Sequence, residues 1–166
     1  MAAGEFLSEA MFRAGFEVVN TRSYGAEARG GSSRSEVLVS DNEIYDLELG
    51  EVDVLVAMSN QAYTSFIGRV RKGALALIES EILSRIDTRT VRNDVKIVSI
   101  PGNEASRNLG NLIVANMVFL GALAKITGLL TLENLEDAVK ALMRPTLQAI
   151  NINAARAGFS LVKGDT

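Results

Sequence analysis

The run Val52-Asp53-Val54-Leu55-Val56-Ala57-Met58 is almost wholly apolar and rich in β-branched residues. This pattern predicts a strand that is covered on both faces, and we expect it to be central and parallel. Residues 61–70 then have a helical pattern, and two more apolar strands follow at 73–78 and 95–100. The alternation of apolar strands with helices predicts a three-layer α/β/α domain with a mainly parallel sheet.

The chain before this run combines one amphipathic helix with two short strands. The helix ends at Gly15, where a left-handed cap is expected. Its apolar positions, which recur at helical spacing, are Phe6, Leu7, Ala10, Met11 and Ala14. We predict a strand at 16–19, a polar surface loop at 20–33, and a half-buried strand at 35–40 that ends at the turn signal Asp41-Asn42.

The chain after Pro101 is predicted to be helical as far as residue 159. The apolar residues of 109–123 are expected to share one face of a buried helix. Asn111 and Asn116 interrupt this apolar segment. A buried amide needs hydrogen-bond partners, so we expect both side chains to bond to nearby backbone.

The last part of this helical region is divided by local signals. A second apolar stripe starts at Thr131, and Pro145 interrupts it because proline has no backbone donor. The final helix is predicted at 147–157, with Gly158 as its stop. Since no repeat or linker is visible, residues 1–166 are predicted to form a single domain with a helical C-terminal part.

The composition excludes several kinds of chemistry. The chain has 166 residues with 17 Lys and Arg, 20 Asp and Glu, and neither cysteine nor histidine. It therefore offers no disulfide, thiolate nucleophile, cysteine ligand for an iron–sulfur cluster, or histidine for zinc binding or general base catalysis. The net charge of -3 does not favour nucleic acid or an anionic membrane as a partner.

Targeting and membrane signals are not evident in the sequence. The start Met1-Ala2-Ala3-Gly4-Glu5 has no basic segment followed by an apolar one, so no signal peptide is predicted. The longest uncharged run, 109–124, is shorter than the roughly 20 residues that a spanning helix needs. We therefore predict a cytoplasmic protein.

One segment, residues 23–34 with the sequence Ser-Tyr-Gly-Ala-Glu-Ala-Arg-Gly-Gly-Ser-Ser-Arg, has the composition of an anion-binding loop. Glycines let backbone amides approach a ligand, serines add hydroxyl donors, and arginine binds phosphate or carboxylate oxygens bidentately. The alternative is an ordinary surface loop in which Glu27 pairs with a neighbouring arginine. No Gly-Lys-Ser/Thr follows, so the segment is not a Walker motif. The candidate binding residues are Tyr24, Gly25, Glu27, Arg29, Gly30, Gly31 and Ser32.

A second candidate site is expected at the carboxyl ends of the parallel strands, where open α/β sheets bind ligands. Asp53 lies in the first apolar run, Ser59, Asn60 and Gln61 follow it, and Glu104 and Arg107 follow the last strand. The alternative is that Ser59 or Asn60 only caps the next helix and that Glu104 and Arg107 are solvated. No catalytic residue stands out, so we expect this chain to assist a reaction that partner subunits perform.

The loop and several other segments together resemble the gamma subunit of 2-oxoacid:ferredoxin (acceptor) oxidoreductases. The match includes Tyr24-Gly25-Ala26-Glu27-Ala28-Arg29-Gly30-Gly31, Ser35-Glu36-Val37, Ser40-Asp41, Asp53-Val54-Leu55-Val56-Ala57-Met58-Ser59, Gln61-Ala62-Tyr63, Gly110-Asn111, Ala115-Asn116-Met117, Leu120-Gly121-Ala122, Thr127-Gly128-Leu129-Leu130, Asn151, Ala154 and Gly158. It covers nearly the whole chain. The Glu-Ala-Arg-Gly-Gly-Ser-Ser-Arg form of the loop resembles the 2-oxoglutarate branch more than the pyruvate branch.

This resemblance implies a subunit of a complex that oxidatively decarboxylates a 2-oxoacid, with 2-oxoglutarate favoured, to an acyl-coenzyme A and reduces ferredoxin. The thiamine diphosphate, magnesium and iron–sulfur clusters would be held by other subunits. The partners implied are the alpha and beta subunits, a delta subunit where one is present, ferredoxin through the complex, and coenzyme A (CoA). The chain would contribute to assembly and to CoA engagement near Arg29, and it would be inactive alone.

The chain departs from the family pattern at its start. The family begins with a strand and a Gly-x-Gly-Gly-Gln-Gly turn before the first helix, whereas Met1 falls where that turn should end. Three explanations stay open: the sequence starts at a late methionine, the chain is incomplete, or this homologue lacks the element. A sheet without that strand would expose ladder groups and apolar surface. We expect the isolated chain to self-associate because surfaces meant for partner subunits would be uncovered and apolar. Two other functions stay open on the sequence, namely a free-standing nucleotide- or CoA-binding α/β module and a purely structural interaction subunit.

Overall fold

The computed structural model describes residues 2–24, 33–45, 50–86 and 91–162. The strands are β1 (Glu17–Tyr24), β2 (Ser33–Ser40), β3 (Val52–Ala57), β4 (Val70–Glu79) and β5 (Lys96–Ile100). The helices are α1 (Ala2–Arg13), α2 (Asn60–Phe66), α3 (Ser80–Leu83), α4 (Gly102–Asn108), α5 (Ala115–Thr127), α6 (Leu132–Leu142) and α7 (Pro145–Leu161). Two short 3-10 turns, Ile67–Arg69 and Leu112–Val114, precede β4 and α5.

The three apolar strands form a parallel sheet with the order β3-β4-β5. The prediction of a parallel sheet is confirmed, but the prediction that the 52–58 run is central is wrong. In the described sheet β4 is the central strand, because it pairs with β3 through Leu75–Ile78 and with β5 through Leu75–Glu79. β3 therefore lies at the edge of this sheet, which explains why a charged residue, Asp53, is tolerated within it.

Helices cover both faces of the parallel sheet, as the three-layer prediction requires. Successive side chains of β4 alternate between the two faces, so Leu75 and Leu77 contact one apolar cluster while Ala76 and Ile78 contact another. The first cluster includes buried residues of α1 and α5–α7, and the second includes the buried Tyr63 of α2. The fold class predicted from the sequence is confirmed.

β1 and β2 form a separate antiparallel hairpin whose pairing extends from Glu17↔Ser40 to Tyr24↔Ser33. The predicted strand at 16–19 is therefore too short, and the predicted loop at 20–33 is too long. Residues 20–24 are polar but pair with β2. Their strand conformation depends on this pairing with another segment, so their own polar sequence does not indicate a strand. α1 ends as predicted, with Gly15 in the left-handed conformation at φ 96°.

α5 and α7 pack closely against each other. A Cβ atom at Gly121 would lie 1.9 Å from the carbonyl oxygen of Ala155, and one at Gly158 would lie 1.8 Å from the carbonyl oxygen of Val118. The prediction that Gly158 stops the last helix is therefore wrong, because α7 continues to Leu161. Gly158 instead permits two helix backbones to touch.

The predicted helical stripe at 109–123 is interrupted before α5. Gly110 adopts a positive φ of 78°, and the side chain of Asn111 accepts a hydrogen bond from the backbone of Ile113. This bond confirms the expectation for Asn111, but the Oδ1 atom of Asn116 is buried without a hydrogen-bond partner among the described residues. Ile113 is 84% exposed rather than buried, because the 3-10 turn rotates it out of the stripe.

The remaining helix boundaries follow the local signals. Thr131 caps α6 and forms a reciprocal capping box with Asn134, as expected for a helix that starts there. Pro145 occupies the first turn of α7, where its missing N–H costs nothing. Within the described ranges, none of the helices combines the length and apolar character needed to span a bilayer.

Candidate functional site

The loop predicted to bind an anion connects the two strands of the hairpin. Tyr24 is the last residue of β1, and Ser33 is opposite it at the start of β2. The other candidate residues lie outside the described residues. These are Gly25, Glu27, Arg29, Gly30, Gly31 and Ser32. The structure therefore gives the positions of Tyr24 and Ser33, the two ends of the candidate loop. The roles of the loop residues stay predictions.

α1 supports one side of the hairpin near these ends. Arg22 of β1 forms an ion pair with Glu5, with Nη2 and Oε1 2.6 Å apart. The side chains of Asn20 and Ser35 bond across the two strands at 2.7 Å, and Gly4 lies directly beneath them. A Cβ at Gly4 would come within 1.9 Å of the Ser35 hydroxyl, so glycine allows the helix to approach the hairpin closely.

Residues that lead into the parallel sheet support the hairpin from a second direction. Arg69, in the 3-10 turn before β4, places Nη1 2.6 Å from Oε1 of Glu36 and donates from Nε to the carbonyl of Gly50 at 3.1 Å. Arg34 lies over the ring of Phe66, with its guanidinium carbon 5.4 Å from the ring centroid. Arg34, one of the two arginines of the predicted loop segment, thus contacts the protein itself.

An open depression of about 530 Å³ lies between α1 and β1. Its walls are formed by Glu5, Ser8, Glu9, Phe12, Val18, Asn20, Arg22 and Leu142. Two carboxylates face a single guanidinium there, so the depression does not favour an anion. The prediction of an anion-binding site therefore rests on the composition of the loop between Tyr24 and Ser33, and not on this depression.

The structure does not bring the second set of candidates together as a binding site. Asp53 is 72% exposed on β3 and pairs with Arg71 at 2.8 Å. Ser59 caps α2 by accepting a hydrogen bond from the backbone of Ala62, which is the structural alternative considered for it. Asn60 and Gln61 are exposed at the start of the same helix.

A cluster of polar side chains does lie at the carboxyl ends of β4 and β5, and its central member was missed by the sequence reasoning. Glu79 ends β4 and is only 1% exposed. Its carboxylate accepts a hydrogen bond from the backbone N–H of Asn103 at 3.0 Å and one from the hydroxyl of Ser80 at 3.2 Å. The available signal was a charged residue directly after a buried apolar run.

Glu81 and Arg107 complete this cluster. Glu81 accepts a hydrogen bond from the guanidinium of Arg107 and another from the amide of Asn103 at 3.2 Å. Arg107 therefore lies at the predicted edge of the sheet and pairs with Glu81, and both Arg107 and Glu104 are exposed. Because Glu79 and Glu81 are both satisfied by neighbours, the cluster joins β4 to α4 and presents no free acid or base to a ligand.

The ion pair between Glu81 and Arg107 predicts a pH-dependent contribution to stability. The hydrogen bond from Arg107 and that from Asn103 hold the pKa of Glu81 below its usual range. A carboxyl whose pKa is lowered by folding stabilises the protein above its unfolded pKa and loses that effect as the pH falls through the folded value. The effect should be small, because both groups face solvent.

Urea unfolding of the wild type and of Glu81→Gln checks this prediction. We expect the wild type to be more stable at about pH 7, and the difference to shrink as the pH falls from about 4.3, the usual pKa of glutamate, through the lowered pKa of the folded state. A difference that is the same at every pH would contradict the assignment.

The described residues contain no group of three or more acidic side chains arranged to hold a metal ion. The whole chain also has no cysteine or histidine. The residues present therefore do not fit an iron–sulfur cluster bound through thiolates of this chain.

Comparison with known protein families shows to which family the chain belongs. The family model described as pyruvate ferredoxin/flavodoxin oxidoreductase matches residues 1–161. The chain belongs to this family. Family membership confirms the resemblance found in the sequence, and with it the expectation of an oxidoreductase subunit that works within a multi-subunit complex.

Comparison with individual members of the pyruvate ferredoxin/flavodoxin oxidoreductase family shows which of its proteins this chain is similar to. The chain is 36% identical over 151 residues to the 2-oxoglutarate synthase subunit KorC of Methanothermobacter thermautotrophicus, covering 89% of this chain and 80% of that protein. It is 30% identical to the gamma subunit of a keto/oxoacid ferredoxin oxidoreductase from Geobacter sulfurreducens. That likeness has a TM-score of 0.79 and covers 96% of this chain and 88% of that one.

A third relative shares the fold within a longer polypeptide. The 2-oxoglutarate:ferredoxin oxidoreductase of Magnetococcus marinus, solved with 2-oxoglutarate, coenzyme A and succinyl-CoA bound, matches with a TM-score of 0.85 and 23% identity. The match covers 100% of this chain and 29% of that chain. The same fold thus occurs both as a separate subunit and as part of a larger chain.

Proposed function

We propose that this chain is the gamma subunit of a cytoplasmic 2-oxoacid:ferredoxin oxidoreductase whose substrate is 2-oxoglutarate. The observation that carries the proposal is the 36% identity to a 2-oxoglutarate synthase subunit along most of both chains. The partners would be the alpha and beta subunits, with a delta subunit where one is present, and ferredoxin would be the electron acceptor of the assembled complex.

In this proposal, different subunits perform different parts of the reaction. The bond between the carboxylate and the carbonyl carbon of the oxoacid breaks, carbon dioxide leaves, and a thioester forms with the sulfur of CoA as its thiol proton is lost to water. The electron pair released in this oxidation passes to ferredoxin. Thiamine diphosphate with magnesium would supply the electron sink for breaking this bond, and iron–sulfur clusters would supply the path for the electrons, both held by partner subunits. Since this chain has no cysteine, the proposal assigns the clusters to partner subunits.

The contribution of this chain is assembly and engagement of CoA. Arg29 of the hairpin loop is proposed to bind a phosphate oxygen of CoA, because a guanidinium forms strong bidentate hydrogen bonds with phosphate. Gly30, Gly31 and Ser32 would add backbone and hydroxyl donors beside it, and Tyr24, Gly25 and Glu27 would complete the contact surface. The support for this placement is the composition of the loop and the firm anchoring of both of its ends by contacts of Arg22 and Glu36.

Affinity isolation from the native cells at endogenous level tests the assembly. The tagged chain is expected to co-purify with larger subunits in a constant ratio through gel filtration, and the isolated chain to show no turnover. An untagged strain provides the control. Recovery of the chain alone, with stoichiometric binding of a nucleotide or CoA, would contradict the subunit assignment and favour a free-standing binding module.

A further inference from the structure

We draw no further inference here: the strongest candidate, the depression of about 300 Å³ between α4 and α7 whose apolar lining includes Ala105, Leu109 and Leu161, is an unpartnered surface, and nothing in the structure shows what covers it.

Discussion

Replacing Gly158 with alanine is expected to destabilise the chain by roughly 3 kcal/mol, because the added methyl group would overlap the backbone of a neighbouring helix. The added Cβ would lie 1.8 Å from the carbonyl oxygen, 2.6 Å from the carbonyl carbon and 2.9 Å from the Cα of Val118. All three atoms belong to the backbone of α5, so no side chain can rotate away. The intrinsic preference of a helix for alanine over glycine, about 1 kcal/mol, is too small to compensate.

Urea unfolding followed by circular dichroism measures this effect. Gly68→Ala is the matched control, because a Cβ there meets nothing within 4 Å, and its stability should change by no more than about 0.5 kcal/mol. Gly121→Ala should behave like Gly158→Ala, and the double variant should cost less than the sum, since one separation of α5 from α7 relieves both clashes. A stable Gly158→Ala chain would contradict the described packing of these helices.

Replacing Arg29 with alanine is expected to raise the KM for CoA of the assembled complex by about ten-fold or more. A hydrogen bond between ionised groups contributes roughly 1.5–3 kcal/mol, and each 1.4 kcal/mol corresponds to a factor of ten in affinity. The value of kcat and the KM for the oxoacid should be unchanged, because the proposed function assigns the chemistry to partner subunits. Steady-state kinetics with varied CoA at saturating oxoacid measures the effect.

Arg29→Lys is the matched variant, since it keeps the charge but loses the planar donor pair. We expect its KM for CoA to lie between those of the wild type and Arg29→Ala. If Arg29→Ala instead impairs assembly while the complexes that form keep unchanged kinetics, Arg29 is a structural residue of an interface and not a ligand contact.

The strands of the parallel sheet were predictable because their signal is local. The runs that became β3, β4 and β5 are mainly apolar, which is the pattern of a sheet covered by helices. The order of the strands was not predictable, because an apolar run does not indicate which strands it pairs with. The extension of β1 to Tyr24 was missed for the same reason, since its polar residues are ordered by pairing with β2.

Glycine gave the clearest example of an ambiguous local signal. Gly15 and Gly158 both follow apolar helical stripes, and both were predicted to end a helix. Gly15 does so with a positive φ, whereas Gly158 lies inside α7 and is needed for contact with α5. The difference depends on which helix packs against the residue, and the sequence near the glycine does not contain that information.

The candidate site was predictable only in part. The composition of the hairpin loop and the family resemblance both indicated Arg29 and its neighbours, and the structure adds the anchors on either side. The pair of Glu36 and Arg69 joins residues 33 positions apart, and the buried Glu79 meets α4 through a residue 24 positions away. Such contacts follow from the fold, so sequence spacing could not reveal them.

The central claim is that this chain serves a CoA-dependent 2-oxoacid oxidoreductase that prefers 2-oxoglutarate. The most direct test is to isolate the complex through this chain and to measure dye reduction with 2-oxoglutarate, pyruvate and 2-oxoisovalerate, each with and without CoA. We predict reduction that requires CoA, with kcat/KM for 2-oxoglutarate at least about ten-fold above the others. Preference for pyruvate would contradict the assigned substrate, and the absence of CoA-dependent reduction with every oxoacid would contradict the account as a whole.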